Sequence, residues 1–245
     1  KAIALNRLLG DPHRALGQVA RDFDGDFAAA DAEFAAALER NPRDADTLAQ
    51  VALLRIAQGR FEEARLAVDQ AMAIDPLATW FSTVAAFAAA CERRWDDAEA
   101  ELRAALEFND LFAPAYAERG RLLLLQGRYA DAVASLQRAV DLAAEPGPIL
   151  EARLAHARAR AGDAAAARVA LDRFADRARS AYVPAAAFAI VHAGLGETAE
   201  ALRWLETAAA ERAPQLAFLA VNPEWTSLRD DERFTALLEK VKARR

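Results

Sequence analysis

Apolar residues recur along this chain at two spacings at once. Within a segment they fall three and four residues apart, which places them on one face of a helix. Between segments the same set returns every 34 residues, once every 35. Ala30, Ala64, Ala98, Ala132, Ala167 and Ala201 lead the series. Four positions on come Phe34, Val68, Leu102, Leu136, Leu171 and Leu205, and three further on Ala37, Ala71, Ala105, Ala139, Phe174 and Ala208. Five positions ahead of each leading alanine stands Gly25, Gly59, Gly127, Gly162 or Gly196, with Arg93 in the third copy. A glycine at that place predicts a left-handed turn that ends one helix before the next begins. Phe27, Phe61, Trp95 and Tyr129 follow two positions after the turn residue, and Ala164 and Thr198 take their place in the last two copies. Asn41-Pro42, Asp75-Pro76, Asn109-Asp110 and Glu145-Pro146-Gly147-Pro148 close successive copies with residues that break helices, the last accounting for the single 35-residue step. Each copy therefore reads as one helical hairpin.

Close approach of the two helices needs small residues where they cross. Gly120 fills that place in the fourth copy, Ala52, Ala86, Ala155 and Ala189 fill it in others, and Gln18 in the first is not small. With Tyr116, Tyr129, Ala132, Leu136 and Ala139, this pattern resembles the tetratricopeptide repeat, a 34-residue helix-turn-helix unit, over roughly residues 11 to 215. The resemblance implies an all-α fold, a right-handed α-solenoid of about six hairpins. Residues 1–10 would end a preceding segment, the array would run over 11–213 with copies starting near 11, 45, 79, 113, 148 and 182, and 214–245 would form C-terminal capping helices. Capping is expected because the end of a solenoid otherwise exposes an apolar face. Leu216, Phe218 and Leu219 would lie on one short helix there and Phe234, Leu237, Leu238 and Val241 on another, separated by a turn at Asn222-Pro223.

In such arrays the second, fifth, ninth and twelfth residues of each copy line a concave groove. Carried over, these positions place Leu53 and Ile56, Trp80, Thr83 and Phe87, Ala117, Arg121 and Leu124, His156 and Ile190 around a mostly apolar channel. Arg121 would be its main cation. Such a groove suits an amphipathic helix or an extended apolar segment. The co-chaperone type of groove, which grips an acidic tail with lysines and asparagines, is disfavoured because Ala49, Leu53, Thr83 and Phe87 stand in those places.

The ending resembles something narrower. Leu195-Gly196, Ala201, Trp204-Leu205, Asn222-Pro223, Trp225, Leu228-Arg229-Asp230-Asp231-Glu232-Arg233-Phe234 and Leu237-Leu238 are similar to the closing segment of a bacterial family. In that family such arrays follow a winged-helix DNA-binding domain or a serine/threonine kinase domain. Here Asn222 stands for an aspartate and Glu232 for a proline. The resemblance implies a sensory or interaction role for this part, with any activity in the preceding domain. Lys1 opens neither a signal peptide nor an initiator-methionine start, which agrees with such a preceding domain.

Composition narrows the remaining classes. Net charge is -6 with acidic and basic residues interleaved, so direct contact with nucleic acid is disfavoured. The closing Lys240, Lys242, Arg244 and Arg245 fit the last turn of a helix, where cations complement the dipole. No apolar run reaches the roughly 18 to 20 residues that cross a bilayer, and a single cysteine makes no internal disulfide, so a reduced cytoplasm is expected.

Candidate chemistry is sparse. Asp22, Asp24, Asp26 and Glu33 match positions one, three, five and twelve of a calcium loop, but Phe27 occupies the place where that loop requires glycine. His13, His156 and His192 are too scattered for a metal site. Cys91 precedes Arg93 and Arg94, whose charges favour a thiolate, yet no second cysteine is present to resolve an oxidised form. No phosphate loop, nucleophile elbow or zinc-peptidase motif occurs, so no enzyme, no catalytic residue, no metal and no cofactor is expected. The expected function is a non-catalytic protein-interaction module of a larger bacterial regulator, holding another protein or a segment of its own parent chain. The alternative is an architectural or homodimerising scaffold whose groove is filled by the chain itself.

Overall fold

The computed structural model describes residues 11–242; the expected segment 1–10 and the terminal Arg244 and Arg245 lie outside the described residues. Twelve helices pair into six antiparallel hairpins. These are α1 (Asp11–Val19) with α2 (Phe27–Arg40), α3 (Ala45–Ala57) with α4 (Phe61–Ile74), and α5 (Trp80–Cys91) with α6 (Trp95–Phe108). Then come α7 (Ala113–Leu125) with α8 (Tyr129–Leu142), α9 (Pro148–Arg160) with α10 (Ala164–Arg177), and α11 (Ala185–Leu195) with α12 (Thr198–Ala210). Two 3₁₀ turns, Pro214–Phe218 and Pro223–Leu228, and a final helix α13 (Glu232–Lys242) follow. No strand occurs among the described residues. Each second helix packs on its own first helix and on the first helix of the next copy, so the hairpins stack into a right-handed solenoid with the first helices on its concave side.

Local chemistry sets the hairpins. Gly25, Gly59, Gly127, Gly162 and Gly196 all have positive φ, from 69° to 99°, and Arg93 takes the same left-handed form at φ 60° without the freedom of glycine. The amide after each turn residue closes back on the preceding helix: Arg60 on the Arg55 carbonyl, Arg94 on Ala89, Arg128 on Leu123, Asp163 on Arg158 and Glu197 on His192. Asp26, Asp44 and Asp163 cap the helices that follow them by accepting a backbone N–H two or three residues into the helix. The leading alanines are all 0% exposed, so nothing larger than a methyl fits there. Fully buried Phe34, Leu102, Leu136, Phe174 and Leu205 fill the space behind them, each contributing about 2 kcal/mol through burial.

The first hairpin departs from this rule and explains the large Gln18. A Cβ on Gly17 would come 2.5 Å from the Phe34 ring, just as one on Gly120 would come 2.4 Å from Leu136 Cγ, so Gly17 is the small crossing residue of the first copy. It stands one residue earlier than the repeat requires. The surplus residue is absorbed in a single π-type turn, Ala20–Asp24, and the amide of Asp26 closes on Ala20, six residues back, where the other copies close over five.

After α12 the chain turns at Arg212, φ 56°, and crosses the concave face. Leu216, Leu219, Trp225, Leu228, Phe234 and Leu237 are buried with α11 and α12 in one apolar cluster. Phe218 and Val221 pack in the opposite direction, against the second hairpin, and Phe218 also against the first. The tail thus joins the last hairpin to the first two, and Arg212 Nη1 lies 3.3 Å from Asp24 at the first turn. Lys242 closes α13 by pairing with Glu239 at 2.8 Å.

Candidate functional site

The concave wall and the crossing tail enclose a hollow of about 500 Å³. Leu53 of α3, Trp80, Thr83 and Phe87 of α5, and Ala117 and Arg121 of α7 line the array side; Pro214, Gln215, Phe218, Asn222 and Glu224 line the tail side. The array residues come from successive first helices because the repeat returns the same face to the same side. Four residues expected in the groove lie elsewhere. Ile56 and Ile190 are 0% and 1% exposed, turned into the core. Leu124 packs with the cluster between α7, α8 and α9. His156 is held against α11, its Nδ1 2.9 Å from the Ile190 carbonyl. A carbonyl only accepts, so Nδ1 carries the proton, and burial holds the imidazole pKa below its ordinary value. α9 and α11 meet closely here, since a Cβ on Gly194 would sit 2.7 Å from His156 Cα.

Two aromatic residues face each other across the hollow. The Phe87 and Phe218 rings lie edge to face at 5.3 Å. The Arg121 guanidinium carbon lies 4.5 Å from the centre of the Phe87 ring, and that of Arg21 6.0 Å from Phe218. Arg21 is itself buried, with Asp22 at 2.7 Å and the Gln50 side chain at 3.0 Å.

Beside the rings lies a buried charge cluster. Arg121, 4% exposed, donates through Nε to Glu118 at 2.9 Å, makes a second contact to the same carboxylate through Nη2, and donates through Nη1 to Asn222 Oδ1 at 3.2 Å. Arg153 of α9 stands 3.6 Å from Glu118 and, through Nε, 3.4 Å from Glu224 Oε1. Asn222 gives its Nδ2 to the other Glu224 oxygen at 3.2 Å and accepts the Glu224 amide at 3.0 Å. Burial pushes the Glu224 carboxyl up, but Arg153, Arg121 and His156 outweigh it and hold the group below the ordinary carboxylate range. Burial likewise opposes the charge on Arg121, and Glu118 and Glu224 restore it and raise its pKa. Buried Arg121 and Glu224 and half-buried Arg153 and Glu118 thereby compensate one another, two cations against two anions.

Sequence reasoning placed Arg121 here but missed Glu118, Arg153, Asn222 and Glu224. A signal existed: the sixth position of the second, fourth and fifth copies holds Gln50, Glu118 and Arg153, long polar side chains at one register position next to the fifth, which lines the groove.

The other candidate chemistry resolves into structural contacts. Asp22 pairs with Arg21, Asp24 with Arg212, Asp26 caps α2, and Glu33 meets His13 Nδ1 at 2.7 Å, so the calcium-like spacing is spent on ion pairs and a cap. His192 meets Glu197 at 2.6 Å. Cys91 is governed by burial, which pushes its thiol up to about 12, while Arg94 pairs with Asp97 and Glu92. A thiolate is disfavoured there.

Comparison with known proteins places this architecture. Residues 113–146, the fourth hairpin, match the tetratricopeptide repeat family model. The fold is similar to that of pilF of Pseudomonas aeruginosa, with a TM-score of 0.57 and 17% identity over 86% of this chain and 95% of that one. A thermophilic tetratricopeptide protein of Thermus thermophilus gives 0.55 and 22% over 94% and 99% of the two chains. The Cut9-Hcn1 hetero-tetramer of the APC/C gives 0.57 and 14%, over 91% of this chain and 44% of that one. None of the curated proteins matches the sequence. The fold is therefore that of a tetratricopeptide-type α-solenoid, and no helix among the described residues is long and apolar enough to cross a membrane.

Proposed function

We propose that this chain is a non-catalytic protein-interaction module whose concave hollow receives an apolar or amphipathic segment of another protein. The carrying observation is the hollow itself: about 500 Å³ of space walled by Trp80, Phe87, Leu53 and Ala117, with charged groups at its two ends, Arg21 and Asp22 at one and the Arg121 cluster at the other. The segment from Asn222 to Phe234, similar to the ending of arrays fused to winged-helix or kinase domains, supports a place in a larger cytoplasmic bacterial regulator. Interleaved charge, with many arginines paired to carboxylates, supports a protein partner over nucleic acid.

A photo-crosslinking residue at position 80 in cells would tag the partner for identification, and the purified partner would then be titrated. Trp80→Ala should weaken binding at least tenfold, because an aromatic anchor at the mouth of a pocket carries a large share of the affinity. Equal affinity for both chains would reject the hollow as the site. The tail lying on the concave face favours a second reading, a scaffold with a self-filled groove that pairs with a second copy. Sedimentation that shows a dimer unaffected by Thr83→Arg, which fills the hollow, would support it.

A further inference from the structure

The tail already occupies the concave face, and its side chains show what that face recognises. Phe218 lies against Phe87. Six residues later the chain turns at Asn222-Pro223 and delivers Glu224, 7% exposed, to Arg153. The two arginines are not held alike. Arg121 is hydrogen-bonded to both Glu118 and Asn222, whereas Arg153 Nε is buried without a hydrogen bond although Glu224 stands 3.4 Å away. Charge is compensated there, but the directional bond is unmade, and a carboxylate with better geometry would gain it. The tail also has anchors that do not depend on this contact, since Trp225, Leu228, Phe234 and Leu237 are buried against α11 and α12.

The geometry points to a two-point recognition site, with Phe87 as an aromatic shelf and Arg153, held from the other side by Glu118, as the carboxylate reader. Its ligand is a partner peptide with an aromatic residue six positions ahead of a glutamate or aspartate, the spacing of Phe218 and Glu224. Residues 218–224 are its built-in competitor. This rests on the reading of the concave face as the place where a partner segment binds. It differs from a clamp for an acidic chain end, because the carboxylate read is an internal side chain and the reader is a half-buried arginine two hairpins along from the aromatic shelf.

The test uses the full chain and a fluorescent synthetic peptide with the sequence of residues 214–228, followed by anisotropy, with helicity checked by circular dichroism. Glu224→Gln removes the competing carboxylate, and this chain should bind the peptide at least tenfold more tightly than the unaltered chain. Phe218→Ala, which leaves the charge cluster intact, should give the same order and serves if the first variant folds poorly. A peptide whose own glutamate is replaced by glutamine should bind the Glu224→Gln chain at least tenfold more weakly. Equal binding of both peptides would overturn the carboxylate reader while leaving groove binding in place. Equal binding by the altered and unaltered chains would overturn the built-in competitor. Failure of the unaltered peptide to bind either variant chain would overturn the two-point site, while the Trp80→Ala titration with the purified partner tests the groove reading by itself.

Discussion

The array and the tail that crosses it are held together by opposite means. Between α1 and α12, stability is distributed: the same small crossing residue, the same buried alanine and the same left-handed turn recur in each hairpin, and each copy touches mainly its neighbours. Between Pro214 and Lys242 nothing recurs. That segment is fixed by a few large anchors and by polar contacts to residues far away in sequence, such as the bond from Arg121 to Asn222 over 101 positions. A repeated local rule tolerates small departures copy by copy, as the π-type turn of the first hairpin shows. A tail with few anchors does not share out a loss.

Predictions that test this contrast run from large to small. Trp225→Ala removes a side chain that is 1% exposed and should cost about 4 kcal/mol in denaturant unfolding, with the tail released from the last hairpin. A loss below about 1 kcal/mol would show that the tail is not anchored in that core. Gly120→Ala acts on the array. The added methyl meets Leu136, which is 0% exposed and has nowhere to move, so about 2 kcal/mol should be lost with the tail still in place. Arg93→Gly should raise stability by about 1 kcal/mol, read as a higher melting temperature, because it relieves the left-handed strain at the turn that lacks a glycine. Gly147→Ala, where a Cβ would meet nothing and φ is -73°, should stay within about 0.5 kcal/mol and shows that the crossing, not glycine as such, is at stake.

The same contrast explains what was legible in the sequence. Each hairpin turn was readable because a local backbone requirement selects glycine, and even Arg93, which breaks the letter pattern, keeps the left-handed form that the period demands. Gln18 misled because a spacing rule counts residues along the chain, and a π-type turn changes that count without altering the packing. Trp80, Thr83, Phe87, Ala117 and Arg121 face the hollow because the second, fifth and ninth positions of the third copy and the fifth and ninth of the fourth look inward, whereas Ile56 at the twelfth is turned toward neighbouring helices. Glu118 and Arg153 escaped because they occupy the sixth position. Asn222 and Glu224 escaped because no local pattern shows where a tail will lie across a groove built from distant helices. A residue pair joined only by the global curvature leaves no mark in a window of one or two repeats.

The most direct test of the tail's placement is a double-mutant cycle between Phe87 and Phe218, with each changed to leucine singly and together and unfolding free energies compared. Rings 5.3 Å apart, edge to face, predict a coupling of about 1 kcal/mol. Losses that simply add, within about 0.3 kcal/mol, would place the two residues apart and contradict a concave face occupied by the chain's own end.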